Sequence, residues 1–396
     1  MKYPSLLVLI VLSLSLTACK LDIDLNKRGD LISSTKRASH SLTTMKQALD
    51  RSKYRAKYAV KTYKIIYQTI DAKGKKVNAS GLLAVPQKDY DQKSPLLVHL
   101  HDTLTKDTNA PSYLYQSTHK ISKTASLGYI VIAPDYLGYG RSRHRTHPFL
   151  HAKTLASATI DMMKASKEWL KNHKVKFNRQ VFLEGYSEGG FAAMATHREI
   201  EKHYSQLFTV SASAPAAGPY DLVSTFRNNL DNDKLASPVS IAFIIKAYND
   251  IYNARLIDKA IKPSFKKIVD RYIVDGDYIT NEINDLLGYK TTTFLKQDFV
   301  NRVRDYNETR LIPNLRKNNS YDWEPDAPIR LIHGEDDEVF PYANAVKATD
   351  KMIANGATDV ELVDCDVSPF TAKHAICSVF AYDYTIDFFY GIADDL

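Results

Sequence analysis

Gly185-Tyr186-Ser187-Glu188-Gly189 is the segment of this sequence best suited to do chemistry. A hydroxyl at the tip of a sharp turn can attack a carbonyl carbon. It needs a base to take its proton and amides to stabilise the oxyanion that forms. The flanking residues supply such a turn. Val181-Phe-Leu-Glu184 is a short apolar run that reads as a strand, and a helix is expected from Gly190. Small residues at 185 and 189 let neighbouring chains pass close, while Ser187 takes a strained backbone conformation. Strand, turn and helix in that order make a nucleophile elbow. The amide of Glu188 is the first candidate oxyanion donor.

The base and its orienting acid must come from later in the chain. The histidines after Ser187 are His197, His203, His333 and His374. The first two lie on the helix behind the nucleophile, and His333 ends a strand. His374 lies in a predicted loop after the last apolar strand, where a base belongs, and is taken as the base. The acid should follow the strand Ile329–Ile332. There Glu335, Asp336, Asp337 and Glu338 stand in a row, and chemistry alone leaves the choice open. The second oxyanion donor should come from the loop His101-Asp102-Thr103-Leu104, through the amide of Thr103 or Leu104.

The elements that position these residues follow from hydrophobic patterning. Tyr58–Tyr67 and Val77–Val85 form a hairpin around the turn at Asp71–Gly74. Short apolar runs at Pro95–Leu100, Tyr129–Ala133, Val181–Glu184, Phe208–Ala212, Ile329–Ile332 and Val360–Val363 read as buried strands. Segments 156–172 and 190–203 have helical length and composition. Apolar strands alternating with helices predict a mostly parallel sheet covered on both faces. Residues 219–326 break the rhythm, with helices expected at 239–252, 264–272, 281–287 and 294–305. They are too long for a loop and read as a helical cap. The core is assigned to 51–218 and 327–396.

The core resembles the α/β-hydrolase superfamily. More narrowly it is similar to bacterial lipase/esterase proteins related to fungal secretory lipases. The resemblance rests on Ala79–Pro86, Ala133–Gly140, His147–His151, the elbow and Ala214–Asp221, together with residues 327–341. It implies an α/β-hydrolase fold with the helical cap inserted, and ester hydrolysis through an acyl-enzyme without metal or organic cofactor. His333-Gly334 through Pro341 resembles the superfamily's H-G-x-x-D-x-x-x-P stretch. That alignment implies Asp337 as the acid, with Asp336 the rival. Asp102 stands where the superfamily usually has glycine, a departure that leaves the backbone amides in place.

The N-terminus carries an address. Lys2 precedes an apolar run, Leu6–Leu16, that is too short to span a bilayer and suits a signal peptide over residues 1–18. Leu16-Thr17-Ala18-Cys19 resembles a bacterial lipobox, which implies lipidation of Cys19. Lys20 after it implies sorting to the outer membrane. Residues 19–50 then read as a lipidated tether and a first helix. Two other cysteines remain, Cys365 and Cys377, and an exported chain is expected to pair them.

The chain has 396 residues, 53 Lys+Arg and 45 Asp+Glu, a net charge of +8. Export argues against nucleic acid as the partner of that excess. It reads first as a solubility device, and second as attraction to anionic lipid. His99 and His101 on one strand face, and His144, His147 and His151, lack the ligand set of a zinc site. Three functions fit: an esterase or lipase acting on a small-molecule or lipid ester, a serine peptidase with the same triad, or an inactive hydrolase fold used as a surface binding lipoprotein.

Overall fold

The computed structural model describes residues 28–231, 233–365 and 372–396. The expected signal peptide and Cys19 lie outside the described residues. A nine-stranded sheet runs through the molecule in the order β1-β2-β3-β5-β4-β6-β7-β8-β9. In chain order these are β1 Leu31–His40, β2 Val60–Ile70, β3 Lys76–Pro86, β4 Lys93–Leu100, β5 Ile130–Pro134, β6 Lys176–Tyr186, β7 Thr209–Ala216, β8 Ile329–His333 and β9 Val360–Asp364. β1, β2 and β3 are antiparallel, while β4 through β9 are parallel. The parallel centre forms because β4, β5 and the second half of β6 are nearly continuously apolar and buried.

Helices cover both faces. We label α1 Leu42–Ala48, α2 Lys120–Ser126, α3 Ala152–Asn172, α4 Glu188–Glu199, α5 Tyr342–Ala354 and α6 His374–Tyr390. On one face α3 and α4 contribute Leu155, Ile160, Trp169 and Phe191 to a core with Ile65, Val98 and Leu183. On the other, Ile121 of α2 and Ile386 and Phe389 of α6 pack with Leu97, Val131 and Phe182. The C-terminal residues fold back on the start of β6, where Gln180 donates to the carbonyl of Ile392 at 3.2 Å.

Residues 31–40, assigned from the sequence to a polar tether, instead form the edge strand β1, followed by the expected first helix. Most of this strand's side chains are exposed, so polar residues serve there and no apolar alternation marks it. Between β7 and β8 the chain is helical, with segments at 222–231, 238–252, 256–260, 280–287, 297–304 and 312–317 among others. This insertion rests on the loops that leave β4 and β5. Asp107 donates its amide to the Gly276 carbonyl at 2.8 Å, and Tyr248 its hydroxyl to the Leu150 carbonyl at 3.0 Å.

Cys365, one residue past β9, and Cys377, in the first turn of α6, form a disulfide across twelve positions. It clamps the start of α6, on which His374 sits. A closed loop of this size stabilises by about 3 kcal/mol in the chain-entropy account. Cys377→Ala is therefore expected to lower stability by about that amount, read as a lowered urea midpoint. Intact mass under non-reducing conditions should show no free thiol at either position.

Candidate active site

Ser187 sits between β6 and α4, where the sequence places the elbow. Its backbone φ is +59°, in the left-handed region that a non-glycine residue adopts only under constraint. The constraint is visible on both sides. Ser187 donates its amide to the Ala216 carbonyl at 2.9 Å, and its own carbonyl accepts from Phe191 at 3.1 Å. A Cβ at Gly185 would overlap the Gly189 carbonyl, and one at Gly189 would overlap the Leu100 carbonyl. Both positions must therefore lack side chains for strand, helix and the β4 loop to meet here.

His374 Nε2 lies 3.0 Å from Ser187 Oγ, and His374 Nδ1 lies 2.7 Å from Asp337 Oδ2. A carboxylate only accepts, so Nδ1 carries the proton and Nε2 is left to accept from the serine hydroxyl. His374 is the first residue of α6, not a loop residue as the sequence reading had it. Its place is fixed at several points. Its amide donates to Glu338 Oε2 at 3.1 Å, and its carbonyl accepts from the Tyr186 hydroxyl. Its ring meets Phe340 edge-on at 5.3 Å between centroids.

Asp337 is buried, whereas its rival Asp336 is exposed. Asp337 Oδ1 accepts the amides of Val339 at 2.9 Å and Phe340 at 2.7 Å. Oδ2 accepts from His374 and lies 3.1 Å from His333 Nε2. Burial alone pushes the carboxyl up. The hydrogen bonds from His333 and His374 outweigh it and hold the group well below the usual carboxylate range. His333 is thus a second imidazole on the acid, which its strand-end position concealed. Its Nε2 also lies 2.8 Å from the Phe340 carbonyl, which can only accept, so Nε2 is the protonated nitrogen.

Glu188 begins α4, so its amide has no partner within the helix. Its carboxylate is fully buried, 2.6 Å from His147 Nε2, while His147 Nδ1 lies 2.7 Å from the Leu137 carbonyl. With Nδ1 committed as a donor, the His147–Glu188 contact is a fully buried hydrogen bond through Nε2. The pair ties the loop after β5 to the elbow, a link between distant side chains that no local pattern signals. His147→Ala would leave the Glu188 carboxylate buried and unpaired. It is expected to cost about 3–5 kcal/mol, measured as the loss in urea-unfolding free energy.

Thr103 and Leu104 are half-buried in the loop that leaves β4, whose first carbonyls, of Leu100 and His101, lie against Gly189 of the elbow. The Leu104 carbonyl accepts from the Tyr139 hydroxyl, and Thr105 Oγ1 is 3.3 Å from Thr280 Oγ1 of the insertion. The other histidines are engaged elsewhere. His99 pairs with Glu184, His101 Nδ1 lies 2.7 Å from the Asp102 carbonyl, and His151 Nδ1 lies 2.6 Å from Thr154 Oγ1. Among the described residues, no group of three His, Cys, Asp or Glu side chains is arranged to hold a metal ion. None of the described helices is long and apolar enough to cross a membrane.

Residues 111–391 match the model of the secretory lipase family. The rice cell wall degrading esterase LipA from Xanthomonas oryzae, in a ligand-bound form, is 29% identical with a TM-score of 0.81. The match covers 90% of this chain and 95% of that one. A putative hydrolase from Legionella pneumophila shares the fold at a TM-score of 0.81, with 24% identity over 91% of this chain and 98% of its own. Candida antarctica lipase A in its closed state shares it at 0.64, with 16% identity over 91% and 81%. No curated protein matches the chain. The architecture is that of the α/β-hydrolases.

Proposed function

The chain belongs to the secretory lipase family and is a carboxylic ester hydrolase, and from that premise we propose an acyl-enzyme mechanism run by Ser187, His374 and Asp337. Ser187 Oγ attacks the ester carbonyl carbon, and His374 Nε2 takes its proton. The oxyanion is held by the Glu188 amide and by that of Thr103 or Leu104. The tetrahedral intermediate expels the alcohol, which receives the proton from Nε2. Water, deprotonated by the same nitrogen, then attacks the acyl-serine and releases the acid. Asp337 holds the imidazole tautomer and balances the imidazolium charge. The observation that carries this reading is the unbroken contact chain from Ser187 Oγ through His374 to a buried, ionised Asp337.

Residues 219–326 are proposed as a cap whose contacts with the 104–107 loop make it a wall of the acyl site. The chain is further proposed to be exported through residues 1–18 and anchored by lipid at Cys19 in the outer membrane. A p-nitrophenyl ester series from acetate to palmitate, run beside aminoacyl-anilides, tests the activity. Ester turnover with a chain-length optimum is expected. Turnover of anilides alone would replace the esterase with a peptidase, and turnover of neither would favour an inactive binding scaffold.

A further inference from the structure

The positive charge of this chain is not spread evenly. A cavity of about 730 Å³ opens between the C-terminal end of α3 and the starts of β6 and β7. Its rim carries Lys164, Lys167, Lys171 and Arg179 against the single carboxylate of Glu168, and Leu207 lies among them, 48% exposed. A second hollow of about 410 Å³ on the same α3–α4 face is lined by Lys153, Arg198, His203 and Lys317, with Glu199 the one acid. An exposed leucine within a ring of cations suits a surface that is anionic outside and apolar beneath.

The N-terminal segment enters the domain on this face. The Arg28 guanidinium pairs with Asp161 of α3 at 3.1 Å, and the Leu31 amide donates to Glu168 on the cavity rim at 3.1 Å. Gly29 lies against the Lys164 side chain so closely that a Cβ there would overlap it. Cys19 and Arg28 are nine positions apart, a reach of at most about 30 Å when fully extended. A lipid at Cys19 would therefore keep the point where the chain enters this face within about 30 Å of the bilayer.

We propose that the α3–α4 face is the membrane-docking surface of the protein. Its cations bind anionic phospholipid headgroups, and Leu207 enters the interface. The proposal rests on the reading of Cys19 as the lipid attachment site for its occupant, but its contacts belong to residues 153–209 and 317. Arg179 and Ser187 lie eight residues apart along β6, roughly 26 Å at strand rise. Docking at the first cavity thus places the lipid contact at the opposite end of β6 from Ser187. The bound enzyme acts on esters that arrive from the aqueous side.

The test uses the chain from Lys20 onward, which keeps every described residue and carries no lipid. Co-sedimentation with phosphatidylcholine vesicles is compared with and without phosphatidylglycerol. Binding is expected only to the anionic vesicles, and it should vanish in about 0.5 M salt, where the Debye length falls to about 4 Å. Lys167→Glu/Lys171→Glu/Arg179→Glu should weaken partition at least roughly a hundredfold, since each cation near an anionic surface is worth about a factor of five. Lys46→Glu/Arg51→Glu/Lys75→Glu makes the same change in net charge at exposed sites outside both the α3–α4 face and the insertion, and should bind far better. Equal binding by the two variants would overturn the proposal in favour of net charge alone. Competition by inorganic phosphate at constant ionic strength would overturn it in favour of a pocket for a soluble anion. Hydrolysis of a soluble ester by wild type and both variants, free and vesicle-bound, is expected to be equal. That readout reports separately on the Ser187 mechanism, and a loss of rate on binding would mean that Ser187 faces the lipid.

Discussion

Replacement of Ser187 by alanine is expected to lower kcat for a soluble p-nitrophenyl ester by about a million-fold, with KM little changed. In the proposed mechanism the serine oxygen forms the bond that makes the acyl-enzyme, and among the described residues no other hydroxyl is recorded in contact with His374 Nε2. The oxyanion amides belong to the backbone and survive the substitution, so a residual rate above that of water should persist. Binding of substrate should persist for the same reason. Alanine fits the elbow, because the cramped positions are Gly185 and Gly189 rather than the serine side chain. The unfolding midpoint is therefore expected to stay near that of the wild type. A folded Ser187→Ala protein retaining about a hundredth of the parental rate would remove Ser187 from the mechanism.

Asp337→Asn should lower kcat by about ten-thousand-fold, and Asp336→Asn should leave it near the wild-type value. An amide at 337 would present an N–H toward His374 Nδ1 or weaken its acceptor. The ring would then be free to turn its unprotonated nitrogen away from the serine. The same substitution has a pH signature. The native Asp337 carboxyl is held well below the ordinary range by His333 and His374, despite its burial. In the unfolded chain it would titrate near the usual value, about 3.9. The stabilisation it contributes is therefore fully present above that pH and is lost as pH falls through it toward the native value. The stability gap between wild type and Asp337→Asn should be widest at neutral pH and should narrow below about pH 4. Thermal melts across that range measure it, and a gap independent of pH would separate the acid's stability from its charge.

The elbow was readable because its demands are local. The strand, the small residues and the helix all fall within about twenty positions, and each has its own compositional mark. The Cys365–Cys377 pairing followed from the number of cysteines and the compartment. Choosing Asp337 over Asp336 required the register of the loop after β8, which the family resemblance supplied and chemistry alone did not. Other features lay beyond the sequence for physical reasons. β1 is an edge strand with most of its side chains in water, so it carries no apolar alternation. His374 starts a helix whose N-terminal amide is held by Glu338, a carboxylate far away in the chain. His333 and the His147–Glu188 pair act through contacts between distant segments. The insertion's helices are mostly short, so each offers the sequence few turns in which an apolar face can declare itself.

Ser187 is separated from His374 by 187 positions, and His374 from the end of the chain by twenty-two. Synthesis and export both proceed from the N-terminus, so a chain in transit carries its proposed nucleophile long before its proposed base. The insertion, β8 and β9 must all emerge before α6 can close on the elbow. On the proposed mechanism, hydrolysis begins only after residue 374 has been delivered and α6 has folded. A nonsense mutation anywhere before codon 374 would yield a silent protein for the same reason.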